Sequence, residues 1–251
     1  GYHANLGVIT ALASRHDTIL SDKLCHASLL DGIQLSRAKH IRYRHCDMAH
    51  FDQLFKKHRP SLIITERLFS MEGDIAPIST IKNKAQGAGL IIDDAHGIGV
   101  YPPLNSTDYN ALILPLGKAF NGLGAIVAGN ETIIETILQF ARTYHYTTAL
   151  PPALCHTLLT TLEIIKNESW RREQLFKNID YFINYAKHKK IPLITKAPTP
   201  IQSILINDLK KLSAIEKTLA SKGCHAPIIR PPTVPQGTTR LRITLNTAHT
   251  E

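Results

Sequence analysis

The feature that most constrains the fold is a series of short apolar runs, rich in β-branched residues, that alternate with amphipathic helical stretches, the first of them expected at 4–14. The runs at 62–66 and 90–93 are almost continuously apolar and lack the alternating polar positions of a half-exposed strand. Strands with this pattern are covered on both faces, as in a parallel sheet flanked by helices. The alternation therefore predicts an α/β fold with a mainly parallel sheet.

The pattern changes after the pair Pro151-Pro152. Two long helical stretches follow, at about 153–167 and 169–187, and the order then becomes strand, helix, strand, strand. We expect a large domain at 1–168 and a smaller α+β domain at 169–251. The chain opens without a methionine and stops in a polar stretch, so we also expect an N-terminal arm of the large domain and the end of the small domain to be missing.

Composition excludes several classes of function. Lys and Arg number 29 against 20 Asp and Glu, a formal charge of +9, but the basic residues are scattered, without an RNA-binding aromatic signature or zinc-finger spacing. The cysteines at 25, 46, 155 and 224 form no CxxC pair, which favours a reducing compartment and no metal site. No apolar run approaches the roughly 20 residues of a membrane span. We expect a cytoplasmic protein that binds neither nucleic acid nor membrane.

Polar residues follow two of the predicted strands, where ligands bind in open α/β sheets. Asp93 and His96 come after the run at 90–92, and Lys118 comes after the run at 112–114. Each alone has a plain alternative: a turn-forming Asp, a structural His, a loop lysine that reaches solvent. Together they favour pyridoxal phosphate, because a lysine can hold this cofactor as a Schiff base and a carboxylate can keep its pyridine nitrogen protonated.

Six stretches of the sequence resemble the α-oxoamine synthases, fold-type I pyridoxal-phosphate transferases that condense an amino acid with an acyl thioester and release CO2. The matching stretches run in the family's order across the whole chain: GYHAN at 1–5, LCHASLLDG at 24–32, TERLFSMEGDIAP at 65–77, DDAHGIGV at 93–100, GKAF at 117–120 and PPTVPQGTTRLRITL at 231–245.

The resemblance implies catalytic roles for four residues. Lys118 would form the Schiff base and then remove the α-proton of the substrate. Asp93 would pair with the pyridinium nitrogen and His96 with the phenolic oxygen of the cofactor. His26 would stack over the pyridine ring.

The resemblance also implies binding roles. The backbone of Gly1 and Tyr2 would hold the phosphate, Ser70 would contact the cofactor, and the neighbouring subunit's phosphate would be approached by Thr147 and Thr148. Thr233 and Arg242 would bind substrate, with Arg242 pairing with the amino-acid carboxylate. Without the resemblance, Ser70 is as readily a turn former, and Arg242 an exposed strand charge.

Within the family, the stretch IRPPTVPQGTTRLR is most similar to the biotin-pathway branch. That branch joins L-alanine to a pimeloyl thioester, of CoA or of an acyl-carrier protein, and forms 8-amino-7-oxononanoate, CO2 and free thiol. The resemblance implies the same acyltransferase reaction here, in a homodimer with a shared active site. Two related activities remain open, those of glycine C-acetyltransferase and 5-aminolevulinate synthase.

The sequence departs from the family's pattern near the proposed site. Pro115 stands where relatives carry a Thr or Ser that bonds the phosphate, and proline offers neither a hydroxyl nor an N–H. Arg67 stands where a small residue is common, and the connection from His96 to Lys118 is shorter than usual. These departures keep a second hypothesis open, a catalytically silent truncated homologue.

Overall fold

The structure, a computed structural model, describes residues 1–85, 87–195 and 197–250. Its contacts divide the chain into two compact units, one made of Gly1–Leu68 with Ala76–Ile165 and the other of Phe69–Ile75 with Lys166–Glu251. The predicted boundary near residue 168 remains a proposal. The segment Phe69–Ile75, which the sequence pattern predicts as part of the large domain, groups by its contacts with the second unit.

The first unit is built on a six-stranded sheet in the order β2-β1-β3-β4-β5-β6. The first five strands in this order are parallel, and β6 runs antiparallel to β5. All five residues of β3 are buried, as its nearly continuous apolar run predicts. The mainly parallel sheet is therefore confirmed. Its strands are β1 Thr18–Asp22, β2 Lys39–Tyr43, β3 Leu62–Glu66, β4 Gly89–Asp93, β5 Ala111–Pro115 and β6 Ala125–Gly129.

Helices flank this sheet, and their apolar faces form the core with it. The main cluster joins Ile9 of the first helix and Leu29 of the second to strand residues such as Ile64 and Ile113, all of them fully buried. The helices are α1 Tyr2–Leu12, α2 Ala27–Ser36, α3 Met48–His58, α4 Ile78–Lys84, α5 Glu131–Phe140, α6 Arg142–His145 and α7 Pro152–Asn167.

The first helix begins earlier than its apolar pattern predicts. The pattern placed it at 4–14, whereas α1 is Tyr2–Leu12 with Gly1 as its N-cap. A glycine in that place lacks the side-chain oxygen by which N-termini are usually recognised in a sequence. The earlier start matters because it puts the backbone of Gly1 and Tyr2 at the N-terminus of the helix.

The second unit has its own small sheet and core. Three antiparallel strands lie in the order β7-β9-β8, and Leu212, Ala226 and Leu241 are buried together. This agrees with the α+β pattern read from the sequence. The elements are α8 Ser169–His188, β7 Ile201–Leu205, α9 Leu209–Ser221, β8 Ile228–Ile229 and β9 Arg240–Thr244.

Within the second unit, the backbone carbonyls of Phe69–Ile75 accept hydrogen bonds from residues far along the chain. Thr195 Oγ1 donates to Glu72 O at 2.6 Å and Thr199 Oγ1 donates to Gly73 O at 2.8 Å. Among the described residues, no helix is long and apolar enough to cross a membrane.

Candidate active site

Three neighbouring parallel strands of the first unit each end in a buried carboxylate. Asp22, Glu66 and Asp93 are the last residues of β1, β3 and β4, and each is at most 4% exposed. Glu66 and Asp93 lie directly opposite each other in the strand register. Because the carboxyl ends of parallel strands meet at one edge of a sheet, these acids mark the edge where ligands bind in this class of fold.

Asp93 is held by two hydrogen bonds. Asn5 Nδ2 donates to Asp93 Oδ2 at 2.7 Å, and the Ala95 amide donates to Asp93 Oδ1 at 2.9 Å. Burial raises the pKa of Asp93, and these two hydrogen bonds, together with the charges of Lys118 and His26, oppose that rise. An acid of this kind is suited to pair with a cation brought to the edge of the sheet.

His26 lies beside this edge because it is the N-cap of α2. Its backbone amide donates to Glu66 Oε1 at 2.6 Å. Its Nδ1 accepts a hydrogen bond from the Ser28 amide at 3.2 Å and lies 2.8 Å from Ser28 Oγ. His26 is therefore held on the strand side through its backbone amide and on the helix side through its imidazole.

Lys118 lies in the loop 116–124 that joins β5 to β6. The loop is closed by hydrogen bonds from the Leu116 amide to Gly124 O and from the Gly122 amide to Leu116 O, at 3.1 and 2.9 Å. The Lys118 side chain is exposed, and its charge is close enough to Asp93 to lower the pKa of that acid. Asp93, His26 and Lys118, three of the predicted site residues, thus lie near enough for the charges of His26 and Lys118 to act on Asp93.

The start of α1 reaches the same edge. In the described chain no side chain caps its first turn, and backbone N–H groups in that position favour an anion. Gly1 lies so close to Pro115 that a Cβ on Gly1 would stand 2.8 Å from the Pro115 Cβ. Tyr2 directs its hydroxyl to Asp31, so Tyr2 offers this edge its backbone.

The other predicted residues of the first unit are placed as follows. His96 is half-buried in the turn that follows β4, three residues after Asp93. Thr147 and Thr148 are exposed in the segment after α6. The described structure gives neither threonine a hydrogen-bonded contact with the other predicted residues of the site.

Three predicted residues lie in the second unit. Arg242 is half-buried on β9; its Nε donates to Ser70 O at 2.7 Å and its other bond goes to Thr244 Oγ1 at 3.0 Å. Ser70 is therefore engaged through its backbone carbonyl. Thr233 is exposed, and its amide closes a turn on Arg230 O.

Comparison with known proteins identifies the family. A family model described as aminotransferase class I and II matches residues 1–251. The chain belongs to this family. It is 45% identical over 264 residues to 8-amino-7-oxononanoate synthase from Pseudomonas putida, with 100% of this chain and 67% of that protein covered. The chain thus spans about two thirds of the length of the curated relatives it matches.

Solved structures agree with this assignment. The crystal structure of 8-amino-7-oxononanoate synthase from Francisella tularensis matches with a TM-score of 0.87 and 34% identity, over 100% of this chain and 76% of that one. Serine palmitoyltransferase from S. paucimobilis, solved with a bound PLP–myriocin aldimine, matches with a TM-score of 0.92 and 26% identity, over 99% and 66%. The fold-type I transferase fold and the resemblance to α-oxoamine synthases are confirmed.

The residues at the sheet edge fit pyridoxal phosphate, the cofactor of this fold family. Asp93 offers a buried carboxylate for the pyridine nitrogen, and the uncapped start of α1 beside Gly1 offers amides for the phosphate. Lys118 offers an amine from the adjacent loop. The chemistry of these three groups suits the pyridine nitrogen, the phosphate and the aldehyde of the cofactor.

One departure from the family's pattern has a clear structural role. Arg67 Nη1 lies 3.0 Å from Asp94 Oδ2, Arg67 Nη2 donates to Pro102 O at 2.8 Å, and the guanidinium lies over the Tyr101 ring. Burial raises the pKa of Asp94 to about 6 and that of Tyr101 to about 12. Arg67 therefore fastens the shortened connection after β4 to the end of the sheet.

Sequence reasoning missed two buried polar residues at the site. Asn5 and Ser28 are 2% and 1% exposed, and Asn5 Nδ2 lies 2.8 Å from Ser28 Oγ. Each is a polar side chain on the apolar face of a helix. Because buried polar groups need hydrogen-bond partners, this position in the sequence indicates a buried polar contact.

A cluster near the first strand has side chains of metal-ligating type. In the described part of the chain, donor atoms of Asp22, His45 and Cys46 lie within 4.8 Å of one another. The Asp22 carboxylate is bonded to the amides of Leu24 and Cys46 and to His45 Nδ1, each at 2.9 Å. Both of its oxygens are thus in use to hold the loop after β2, and we assign the cluster a structural role.

Proposed function

We propose that the protein carrying this chain is a pyridoxal-phosphate-dependent acyltransferase that condenses L-alanine with a pimeloyl thioester to 8-amino-7-oxononanoate, CO2 and free thiol. The observation that carries the proposal is the convergence of Asp93, His26 and Lys118 at one sheet edge beside the uncapped start of α1. The choice of reaction rests on the curated relatives of that name, which match the whole chain.

Each site residue then has a task toward the cofactor. Asp93 would hold the pyridine nitrogen in its protonated form, since a buried carboxylate prefers a cationic partner. His26 would stack on the ring and His96 would meet the phenolic oxygen. The amides of Gly1 and Tyr2 would hold the phosphate, and Ser70 would contact the cofactor. When bound, pyridoxal phosphate supplies an electron sink for negative charge at the substrate α-carbon.

Lys118 would move the protons of the reaction. Its Nζ takes the α-proton of L-alanine, and the α-carbon forms a bond to the thioester carbonyl carbon while the C–S bond breaks and the thiol leaves. The bond from the α-carbon to the carboxylate then breaks, CO2 leaves, and a proton returns to the same carbon. Lys118 is exposed on the loop 116–124, and from there its side chain would reach both substrate and cofactor.

Arg242 would bind the carboxylate of L-alanine, with Thr233 as a second substrate contact. Within the described residues, the only hydrogen bonds of the Arg242 guanidinium go to Ser70 O and Thr244 Oγ1, and no carboxylate pairs with it. A half-buried guanidinium without an acidic partner is suited to an anionic ligand.

The acyl donor would be a pimeloyl thioester of CoA or of an acyl-carrier protein. Both are anionic, and the formal charge of +9 favours the approach of an anionic partner. The cytoplasm is the proposed compartment, because all four cysteines are free and free thiols persist in a reducing environment.

A homodimer with a shared active site is the proposed assembly. Phe140, Tyr144 and Tyr146 are 65%, 65% and 77% exposed, and Tyr146 directly precedes the exposed Thr147 and Thr148. The helix α7 that follows has no buried residue. Exposed aromatic side chains of this kind mark association surfaces, which supports an approach of these threonines to a neighbouring subunit's phosphate.

Two measurements test the proposal. Addition of pyridoxal phosphate should produce a visible absorption band of the bound cofactor that is lost in Lys118→Ala and kept in Lys82→Ala, whose Nζ pairs with Asp108. CoA release should be fastest with L-alanine and pimeloyl-CoA. Equal turnover with glycine and acetyl-CoA or succinyl-CoA would overturn the choice of reaction in favour of glycine C-acetyltransferase or 5-aminolevulinate synthase.

The second candidate is a catalytically silent homologue that keeps the fold. Pro115 favours it, because this residue brings neither a hydroxyl nor an N–H to the place where the family has a phosphate ligand. Absence of the absorption band in the parent protein would support this candidate, whereas the band together with CoA release would exclude it.

A further inference from the structure

We infer that Asn5 is a positioning residue: through Ser28 it links Asp93 to His26 and holds the His26 imidazole as the neutral tautomer with its proton on Nε2. The link is a continuous chain of hydrogen bonds, from Asp93 Oδ2 to Asn5 Nδ2, from Asn5 Nδ2 to Ser28 Oγ and from Ser28 Oγ to His26 Nδ1. The role of this link in catalysis rests on the proposed function.

The direction of the chain is set by Asp93. An ionised carboxylate only accepts hydrogen bonds, so the group that faces it must be the NH2 of Asn5. The opposite orientation of the amide would place Asn5 Oδ1 against the carboxylate. Both hydrogens of the Asn5 amide are then used, one at 2.7 Å on Asp93 Oδ2 and the other at 2.8 Å on Ser28 Oγ.

The direction of the Ser28 hydroxyl proton follows from the same hydrogen-bond chain. Ser28 Oγ accepts from Asn5, so its own hydrogen is free to point to His26 Nδ1 at 2.8 Å. The Ser28 amide donates to the same nitrogen at 3.2 Å. Two donors directed at Nδ1 leave no room for a proton there, so the neutral ring carries its proton on Nε2.

A simpler role for these contacts is to join α1 to α2. The other amide atom of Asn5 favours the positioning role over this one. Asn5 Oδ1 is buried without a hydrogen-bond partner in the described structure. A side chain placed only for packing would be expected to satisfy its acceptor as well. Here the amide is satisfied only on the side that leads to Asp93 and His26.

The inference is tested first on the parent protein without cofactor. Long-range 1H–15N spectra of 15N-histidine-labelled protein, recorded well above the ordinary imidazole titration range, report which ring nitrogen carries the proton. We expect the Nε2–H tautomer. A dominant Nδ1–H tautomer would overturn the inference even if the enzyme turns over, and the proposed function would stand.

Variants separate the relay from packing. Ser28→Ala and Asn5→Ala should each shift the His26 15N signals toward a mixture of tautomers. The matched control is Ser36→Ala, a second buried serine of α2, whose hydroxyl donates to Ile33 O at 2.7 Å; its His26 signals should match those of the parent. Unchanged His26 signals in Ser28→Ala and Asn5→Ala would contradict the inference.

Turnover gives the second reading. We expect kcat of Asn5→Ala and Ser28→Ala to fall roughly tenfold or more, as for other outer partners of site residues, with the KM for L-alanine little changed. A parent protein that shows the expected tautomer but no turnover would refute the proposed function and leave the relay intact. Full kcat in both variants would refute the relay's role in catalysis.

Discussion

Gly1 and Pro115 lie in direct contact where α1 begins and β5 ends: a Cβ on Gly1 would stand 2.8 Å from the Pro115 Cβ and 3.0 Å from its Cγ. The proline ring thus lies beside the first amides of the helix, which are proposed to hold the cofactor phosphate. A hydroxyl introduced at position 115 would lie beside the same proposed phosphate site.

We therefore expect Pro115→Thr to bind pyridoxal phosphate about tenfold more tightly than the parent. A hydrogen bond to a charged group is worth about 1.5 kcal/mol, which corresponds to about a tenfold change in Kd. Titration of the visible absorption band measures the effect. Pro115→Ala is the control, because it removes the ring without adding a hydroxyl; an equal gain in Pro115→Ala would show that the ring, and not the missing hydroxyl, limits binding.

Arg240 and Arg242 alternate on β9 but differ in their partners. Arg240 Nη1 pairs with Glu72 Oε1 at 3.0 Å, and the two side chains are only 5% and 15% exposed. We expect Arg240→Met to lower the free energy of unfolding by about 3 kcal/mol, because it leaves the largely buried Glu72 carboxylate without its partner. Urea unfolding measures this loss, and a change below about 1 kcal/mol would contradict the pairing.

Arg242→Met should weaken the binding of L-alanine and leave stability little changed. Loss of a charged hydrogen-bonded pair worth about 1.5–3 kcal/mol would raise the KM for L-alanine roughly tenfold to a hundredfold. Arg242→Lys, which keeps the charge and loses the planar fork, should lie between the parent and Arg242→Met. An unchanged KM in Arg242→Met would remove Arg242 from the substrate site.

The sequence predicted the strands that depend on local pattern. The runs at 62–66 and 90–93 predicted buried parallel strands, and Asp93 and Lys118 became candidate site residues because they stand at or just beyond the ends of such runs. The link from Asn5 to Asp93 was missed because it joins residues 88 positions apart. For the same reason the sequence could not separate Arg240 from Arg242, since the acid that neutralises Arg240 comes from a segment 168 positions earlier.

Membership of Phe69–Ile75 in the second unit was missed on similar grounds. The segment sits between two strands of the first sheet in the sequence, and its partners Thr195 and Thr199 come more than a hundred positions later. Local pattern carries no information about contacts of this range. The helix α5, which the sequence analysis did not predict, has a local signal in the sequence. Asn130 is its N-cap, and its apolar positions recur at helical spacing.

Asp94 should make stability depend on pH in a defined direction. Its pKa is raised to about 6 in the folded protein by burial, with Arg67 opposing the rise. A carboxyl whose folded pKa lies above its unfolded value stabilises the fold most below that unfolded value, and this contribution is lost as the pH rises through about 6. Between pH 5 and pH 7 the loss amounts to about 1 kcal/mol.

The comparison of the parent with Asp94→Asn isolates this contribution. The difference between their free energies of unfolding should move by about 1 kcal/mol in favour of Asp94→Asn as the pH rises from 5 to 7, because only the parent titrates at this position. Urea unfolding at the two pH values measures it. A difference that stays constant would show that Asp94 is already ionised at pH 5.

Gly73 is the position of the second unit where a side chain is least tolerable. Its φ is +72°, and a Cβ there would lie 2.1 Å from Ile201 O and 2.8 Å from Thr195 Cγ2. Gly73→Ala must therefore adopt a left-handed backbone and also push the start of β7 away. Backbone strain and overpacking each cost about 1–3 kcal/mol, so we expect the free energy of unfolding to fall by about 3 kcal/mol or more.

Gly223→Ala is the matched control in the same unit, because Gly223 has a φ of +77° and a Cβ there would meet no described residue within 4 Å. Its backbone strain alone should cost about 1 kcal/mol. Urea unfolding of the two variants separates strain from steric conflict, because the two glycines share the backbone conformation and differ in their surroundings. Equal losses in both variants would mean that Phe69–Ile75 can move away from β7, and that the hydrogen bonds from Thr195 and Thr199 do not hold this segment in place.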